Sequence, residues 1–518
     1  MGIEEFQQRP FNNHPKYDNS CFSMGQQPEW ATGDVLLGSC YRVLGLARMA
    51  ESRVDLEDLE RLPSRLRTNT VPTTAWEFIF QKALRSPTRR GERTTRRLPQ
   101  LVPLVPALGN FSGVLGRPRS RWNPGMLALY TLASGVGPTL FQESVTAFAQ
   151  ALDTIEQMDD EFAWFLERKL RELPETERSV APANWLEVLD LPKISFRDQQ
   201  QEPWIPAEVF TRDLDRLLLL KPYLTRRQWC ALIESLLRIG LVSHVLWICS
   251  LNTYAWSLVL EVLDGHSPPS RESIETVLWS KHLKREPFLD GGQHAEPYLR
   301  RQIESYAYAR LGMNMLFHVM DRPGNSFEWP NEIASQGLPA SAQIEFFLEH
   351  LAQERSSLGP DPRSQITNEL GATVDSLVAS RGITLSGKTK GVPKNLYEFL
   401  AYTLQRTRPV EVDLVEHDQG YLLAKASSAS NSPWVVRPGP VLLLAMCHVT
   451  CASMNGAPVT LGHLADHFGY YGVRIGAGGL QEGVIANDLE TLGVLVDSPD
   501  AGGGRLVLDP FRSATSGG

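Results

Sequence analysis

The sequence predicts a mainly α-helical protein with a small amount of β structure near its C-terminus. Apolar residues recur at steps of three and four through most of the first three-quarters of the chain, as they do on the buried face of a helix. Loops rich in proline, glycine and serine separate these stretches. After Pro409 the pattern changes to short alternating runs with turn residues between them, which is typical of strands.

Length and composition indicate a globular protein of several domains. At ~150 residues per domain, 518 residues predict about three domains, and 42% hydrophobic residues are enough to bury their cores. We place a helical domain at 1–290, a second helical region at 291–408 and a third domain at 409–518. The sequence shows no internal repeat of fixed period.

Charge and cysteine content narrow the class of protein. The net charge of -8 argues against a general polyanion binder, and 40 of the 51 basic residues are arginine, so that anion contacts should be planar and bidentate. Six cysteines without a CxxC pair, and an N-terminus without a signal peptide pattern, favour a reducing, cytoplasmic location. The uncharged stretch 239–260 is long enough to span a bilayer, but its polar residues favour a buried helix and no membrane contact.

The clearest helical stripe lies within residues 141–173. Its apolar members follow one another at three- and four-residue steps: Val145, Phe148, Leu152, Ile155, Met158, Phe162 and Phe165. This spacing predicts one long amphipathic helix. Similar patterns predict helices within 211–262, 271–284, 297–320, 341–356 and 364–381.

The last domain begins with an alternating segment. VEVDLVEHDQGYLLAKA turns at Asp418 to Gly420 and predicts a β-hairpin, and SSASNSPWVVRPGP then predicts a linker. LLLAMCHVTCAS predicts a helix, and TLGHLADHF predicts a second helix with Thr460 as its N-cap. LQEGVIANDLETLG predicts a third helix, after which two short strands flank a glycine-rich turn.

Residues 441–510 resemble the winged-helix family, so the predicted third domain combines a β-hairpin with a C-terminal winged helix-turn-helix. Ile485, Leu489 and Leu492 share one face of the third helix. The strands are 494–496 and 506–508, and the tip of the wing is 501–504. The loop YYGVRIGAGG before the third helix is longer than the tight turn that is usual in the family. The resemblance implies that the third helix and wing either enter DNA grooves or bind protein.

Charge favours protein over DNA as the partner of this domain. From Arg437 to Arg512 there are four arginines, no lysines and seven acidic residues. The third helix carries Glu482, Asp488 and Glu490 without a basic residue, and phosphate neutralisation supplies most non-specific DNA affinity. We therefore predict a protein interface at these three acids. Arg505 on the wing is the residue we would expect to touch DNA.

The strongest basic signal is the segment RSPTRRGERTTRR. Arginines spaced by hydroxyl residues and glycine can pair bidentately with phosphates, so the segment predicts contact with DNA, RNA or an acidic protein. The alternative is a solvated loop that balances neighbouring acids. The candidate phosphate contacts are Arg85, Arg89, Arg90, Arg93, Arg96 and Arg97, followed by Arg117, Arg119 and Arg121.

The segment GITLSGKT matches the phosphate-loop pattern GxxxxGK[ST] letter for letter. In that interpretation Gly382, Gly387, Lys388 and Thr389 would hold a nucleotide. The preceding residues have helical rather than strand spacing, which predicts that Gly382 caps a helix. Gly391 and Pro393 should cut short the helix that a phosphate loop requires.

Other combinations of residues with chemical potential are weaker. His463 and His467 lie one turn apart but lack the glutamate of a zinc protease motif, so we interpret them as flanking the buried face of their helix. Cys447, His448 and Cys451 lie in an apolar helix, where thiols behave as small hydrophobic groups. No metal and no cofactor is predicted.

These observations favour a non-catalytic helical scaffold or adaptor whose winged helix binds protein in a multi-subunit assembly, with nucleic acid contacted by the arginine-rich segment. Its general character resembles that of helical accessory subunits of bacterial antiviral defence systems. Two alternatives remain open: a phosphate-loop NTPase using 382–389, and a winged-helix DNA-binding transcriptional regulator. The partner's identity and the oligomeric state are also open.

Overall fold

A computed structural model describes much of the chain. The described residues are 36–46, 104–106, 124–153, 161–171, 205–280, 287–320, 340–405, 420–429, 431–476, 483–497 and 505–512.

The described residues are mostly α-helical, which confirms the predicted fold class. The helices are α1 Leu36–Val43, α2 Pro124–Asp153, α3 Glu161–Arg171, α4 Pro206–Leu219, α5 Arg226–Leu263, α6 Arg271–Ser280, α7 Ala295–Met320, α8 Ala340–Glu354, α9 Pro362–Arg381, α10 Val392–Leu404, α11 Pro440–Ser453, α12 Leu461–Tyr470 and α13 Val484–Thr491. The strands are β1 Leu289–Asp290, β2 Leu423–Lys425, β3 Trp434–Val436, β4 Val459–Thr460, β5 Val473–Arg474, β6 Leu495–Asp497 and β7 Arg505–Val507.

The predicted helix over 141–173 corresponds to the second half of α2 and to α3. Val145, Phe148 and Leu152 are buried as the stripe predicts, and residues 154–160 lie outside the described residues. Within α2 the helix is broken at Gly137, whose φ of 76° lies in the left-handed region that glycine tolerates. Pro138 follows and cannot donate a helical hydrogen bond, so a kinked helix results.

Helix α5 forms the centre of the structure. It begins at a capping box in which the Thr225 hydroxyl accepts from the Gln228 N–H and the Gln228 side chain accepts from the Thr225 N–H. Its 38 residues span about 57 Å at the helical rise of about 1.5 Å per residue. Helices α4, α7, α8 and α11 all pack on it. Of the described helices, α5 alone is long and apolar enough to cross a membrane, and 94% of its apolar window is buried inside the protein.

Two charged side chains, buried Arg226 and partly buried Glu234, attach N-terminal elements to α5. Arg226 donates to the carbonyl oxygens of Leu104 and Leu152 at 2.8 and 3.0 Å, and to the Tyr41 hydroxyl. The Glu234 carboxylate accepts from the N–H groups of Leu36 and Leu37, at 2.8 and 2.9 Å. These N–H groups begin α1 and have no partner within the helix, so Glu234 acts as its cap.

The strands form three small sheets. β1 pairs with β5 in parallel, and β2 pairs with β3 in antiparallel orientation. β4, β7 and β6 form a three-stranded antiparallel sheet with β7 in the middle. The β1–β5 pair joins the chain just after α6 to the chain just after α12. It therefore connects the first predicted domain with the third.

The short β-hairpin is observed, but its arms differ from the predicted ones. Leu423 of β2 pairs with Val436 of β3, so the second arm lies in the stretch that the sequence indicates as a linker. Proline, serine and asparagine on either side of Trp434 obscured the three-residue strand WVV. The predicted first arm and its turn at Asp418 lie outside the described residues.

Candidate functional site

The C-terminal elements assemble in the order α11, β4, α12, β5, α13, β6, β7. Thr460 begins α12 as predicted, since its hydroxyl accepts from the His463 N–H. The two strands after α13 are antiparallel, with Leu495 opposite Val507, and β4 lies on the other side of β7. The strands are thus 495–497 and 505–507, each within one residue of the expected bounds.

Helix α13 packs through its apolar face. Ile485 and Leu489 are buried, and Leu492 is partly buried immediately after the helix. Val484 at its start is 50% exposed, and Val496 on β6 is 43% exposed. Asp488 flanks this apolar face and is partly exposed, and Glu490 is exposed on another side of the helix. The exposed part of this region therefore combines acidic groups with a few apolar side chains.

Arg505, the predicted DNA contact, is held by two acids of its own domain. Its guanidinium donates to the carboxylate of Glu490 on α13 and, from Nε at 2.7 Å, to Asp497 on β6. Hydrogen bonds to Glu490 and then to Asp497 raise the pKa of Arg505 above its usual value. These two carboxylates balance the charge of the guanidinium, which weakens its attraction for a phosphate.

Asp488 also has a basic neighbour from elsewhere in the chain. Arg437, just after β3, places Nη2 3.8 Å from the Asp488 carboxylate. The helix α13 itself contains no basic residue, but in the fold Arg437 and Arg505 from other elements contact its acids. Pairing across such separations leaves no periodic signal in the sequence, which is why Arg437 and Asp497 were not singled out.

A buried polar network fixes α12 to α4. Asp213 is fully buried, and its Oδ2 lies 2.7 Å from His467 Nε2 and 2.8 Å from the Tyr471 hydroxyl, which donates to it. Arg216 donates to the other carboxylate oxygen at 2.8 Å. Burial and the nearby Asp213 raise the pKa of Tyr471 well above its usual value. His463 instead bonds Thr460 through Nδ1, so the two histidines serve different partners.

A mostly apolar groove of about 1040 Å³ runs between the end of α4 and the three-stranded sheet. His448 on α11 lies in it with Nδ1 2.9 Å from the Asp509 carboxylate. Cys451 is one turn further along α11 and donates its S–H to the Val507 carbonyl. Burial, and then Asp509, raise the pKa of Cys451 to about 11, so the sulfur remains a protonated thiol and a poor nucleophile at neutral pH.

The phosphate-loop pattern lies between two helices. As predicted, Gly382 caps α9, with φ of 60° in the left-handed region. No helix begins at Lys388 or Thr389, as predicted, but Pro393 has a different role: it occupies the first turn of α10, which begins at Val392, three residues after Thr389.

Hydroxyl groups occupy two backbone donors of this loop. The Thr384 N–H donates to the Thr389 hydroxyl at 3.2 Å, and the Lys388 N–H donates to the Thr384 hydroxyl at 3.2 Å. In a phosphate loop such donors point at the nucleotide. The preceding element is helix α9 rather than a strand. The loop geometry therefore differs from the one that the pattern requires.

The remaining predicted site residues lie outside the described residues. These are Glu482 and the nine arginines Arg85, Arg89, Arg90, Arg93, Arg96, Arg97, Arg117, Arg119 and Arg121. Of the predicted acidic interface, Asp488 and Glu490 lie on different sides of α13, paired with Arg437 and Arg505 respectively.

Comparison of the chain with protein-family models, curated proteins and solved structures finds no match.

Proposed function

We propose that residues 441–510 are a winged-helix domain that binds protein and that the chain is a non-catalytic scaffold. The family resemblance implies three helices followed by two strands that flank a turn, and the order α11, α12 and α13 followed by the antiparallel strands β6 and β7 supports this proposal. The sheet order β4, β7, β6 supports the same assignment, because the two wing strands pair with each other and the inner one also holds β4.

The pairing of Arg505 with two carboxylates is the observation that favours protein over DNA as the partner. With Glu490 and Asp497 on its guanidinium, the wing presents an internally neutralised arginine and an excess of carboxylates. A DNA backbone would meet seven acids and four arginines between Arg437 and Arg512. A basic protein surface would meet complementary charge, which favours its encounter and fixes its orientation.

A scaffold role is supported by the way in which the domain is attached. The Asp213 network and the β1–β5 pair join its second helix and following strand to the helical part of the chain, while Asp488 and Glu490 remain accessible. The five cysteines in the described part of the chain form no disulfide, which supports the proposed reducing, cytoplasmic location. In this proposal the arginine-rich segment adds a nucleic-acid contact to a multi-subunit assembly of the antiviral-defence type.

The proposal is tested by charge reversal in the full-length protein. Asp488→Lys together with Glu490→Lys should remove a basic protein that co-purifies with the tagged chain from its native cells. Glu272→Lys, at an acid on α6 that is exposed like Glu490, is the control and should retain it. Circular dichroism of each variant checks that the fold is kept.

A duplex-binding assay addresses the regulator alternative. Arg505→Ala should leave the affinity of the full chain for duplex DNA unchanged at moderate salt. Duplex binding that Arg505→Ala abolishes would replace the protein-binding proposal with the transcriptional regulator. If the double variant still binds the partner, Asp488 and Glu490 do not form its interface.

A further inference from the structure

A second candidate site includes no residue of α13. The first turns of α7, the loop 382–391 and strand β3 enclose an open cleft of about 460 Å³. Its lining includes Arg300, Arg301, Lys388 and Trp434. Small-molecule sites generally have volumes of roughly 300 to 1,000 Å³, so the cleft is large enough for a ligand of nucleotide size.

Arg300 holds the parts of the cleft together. Its Nε lies 2.7 Å from the Glu296 carboxylate, and its Nη1 donates to the Ser386 carbonyl at 3.0 Å. The guanidinium also lies 3.9 Å from the ring centroid of Tyr397 on α10, a cation–π contact. Arg300 thereby fixes the loop against α7 and α10, and its positive charge is balanced by Glu296.

Arg301 and Lys388 provide the remaining positive charge. Both side chains are exposed, and within the described residues neither forms an ion pair with a carboxylate. Since Glu296 is paired with Arg300, the only other acid on the lining is Glu304. Two cations against one anion leave a net positive charge, which attracts an anionic group such as phosphate.

Trp434 provides a flat apolar surface beside these cations. Its place on β3 is fixed by the pairing of Lys425 with Trp434 in the hairpin. The Lys425 ammonium lies 5.6 Å from the indole centroid, which further restrains the ring. An isolated bridge between His294 and Val435 attaches the hairpin to the start of α7. A tryptophan held in this way loses little entropy when a planar ring stacks on it.

We propose that this cleft binds a mononucleotide-class ligand, with its phosphate against Lys388 and Arg301 and its base against Trp434. The phosphate is held by side chains, because the Thr384 and Lys388 backbone N–H groups are already bonded to hydroxyls. The site thus uses the lysine of the phosphate-loop pattern without the amide cradle of that motif. It is a binding site, and no hydrolysis is part of it.

Calorimetric titration of the full chain with adenosine monophosphate tests the proposal. Lys388→Met and Arg301→Met should each weaken binding at least about tenfold, the loss of one charged contact of about 1.4 kcal/mol. Lys390→Met is the matched control: Lys390 is equally exposed on the same loop but does not line the cleft. It should leave the affinity unchanged.

The role of Trp434 is tested from the ligand side, which avoids any effect on the hairpin fold. Ribose 5-phosphate should bind at least about tenfold more weakly than adenosine monophosphate, because it lacks the base that stacks on Trp434. Equal binding of the two ligands, equal effects of Lys388→Met and Lys390→Met, or no binding at millimolar concentration would each overturn the proposal. None of these outcomes bears on Asp488 or Glu490, so the two proposals fail separately.

Discussion

His467 Nε2 lies 2.7 Å from the Oδ2 atom of Asp213, and both side chains are buried. The two residues are 254 positions apart, on α12 and α4. A buried carboxylate is stable only when its charge is paired and its oxygens are hydrogen-bonded. Arg216 and Tyr471 complete that requirement at Asp213. The position of α12 on the helical part of the chain is thus specified by polar geometry as well as by apolar burial.

Asp213→Asn should therefore destabilise the protein by about 3 kcal/mol, because it removes the charge that Arg216 and His467 face in a buried site. Chemical denaturation measures the loss, and hydrogen exchange should show faster exchange in α12 than in α9. Asp215→Asn, on the exposed side of α4, is the control and should change stability by less than about 0.5 kcal/mol. Equal effects of the two variants would contradict a special role for the network.

Stability should fall in mild acid because of His244 on α5. Burial lowers the pKa of this side chain from about 6.5 to about 3, and its Nδ1 has no hydrogen-bond partner among the described residues. The unfolded chain therefore binds a proton below pH 6.5 that the folded protein does not accept. Stability from this group is complete above pH 6.5 and is lost at about 1.4 kcal/mol per pH unit below it.

His244→Phe should reduce the difference in unfolding free energy between pH 6.5 and pH 5 by about 2 kcal/mol relative to the wild type. Urea unfolding at the two pH values gives this difference. His266→Gln, an exposed histidine after the same helix, should leave it unchanged. An unaltered pH dependence in His244→Phe would show that His244 is not buried as a neutral ring.

Two glycine substitutions should have opposite effects. A Cβ atom at Gly312 on α7 would lie 2.3 Å from the Trp256 ring on α5, so Gly312→Ala should destabilise by about 1–3 kcal/mol. A Cβ atom at Gly371, inside α9, would meet nothing within 4 Å. Gly371→Ala should stabilise by roughly 0.5–1 kcal/mol because alanine is the better helix former. A melting temperature of Gly312→Ala equal to or above that of the wild type would contradict the close α5–α7 packing, and a lowered one in Gly371→Ala would contradict the open space at Gly371.

The arginine-rich segment should increase the salt dependence of nucleic-acid affinity. If its arginines contact phosphates, log affinity for duplex should fall with log salt at a slope of about -0.9 per contact. Alanine at Arg89, Arg90, Arg96 and Arg97 should flatten this slope by up to about three to four units. No binding at low salt, or an unchanged slope in the variant, would leave the segment as a solvated loop.

Sequence periodicity predicted the helices well because their apolar faces are buried, as Val145, Phe148 and Leu152 show. Local capping was also predictable, since Thr460 and Gly382 act within a few residues of themselves. The acid–arginine pairs could not be predicted from the sequence, because the fold alone brings Arg437 close to Asp488. The same holds for the cleft: Lys388 was noted for its motif, but nothing local placed Trp434 beside it.

The parallel pairing of β1 with β5 also constrains the order of events during synthesis. Leu289 leaves the ribosome long before its partner Val473, and at about 5–20 residues per second the interval is roughly 10 to 40 seconds. For most of that interval the surfaces of α4 and α5 that later receive α11, and Asp213, which later binds His467 of α12, are already made but uncovered. The nascent chain therefore passes through a stage at which this apolar surface is complete before the C-terminal helices that cover it.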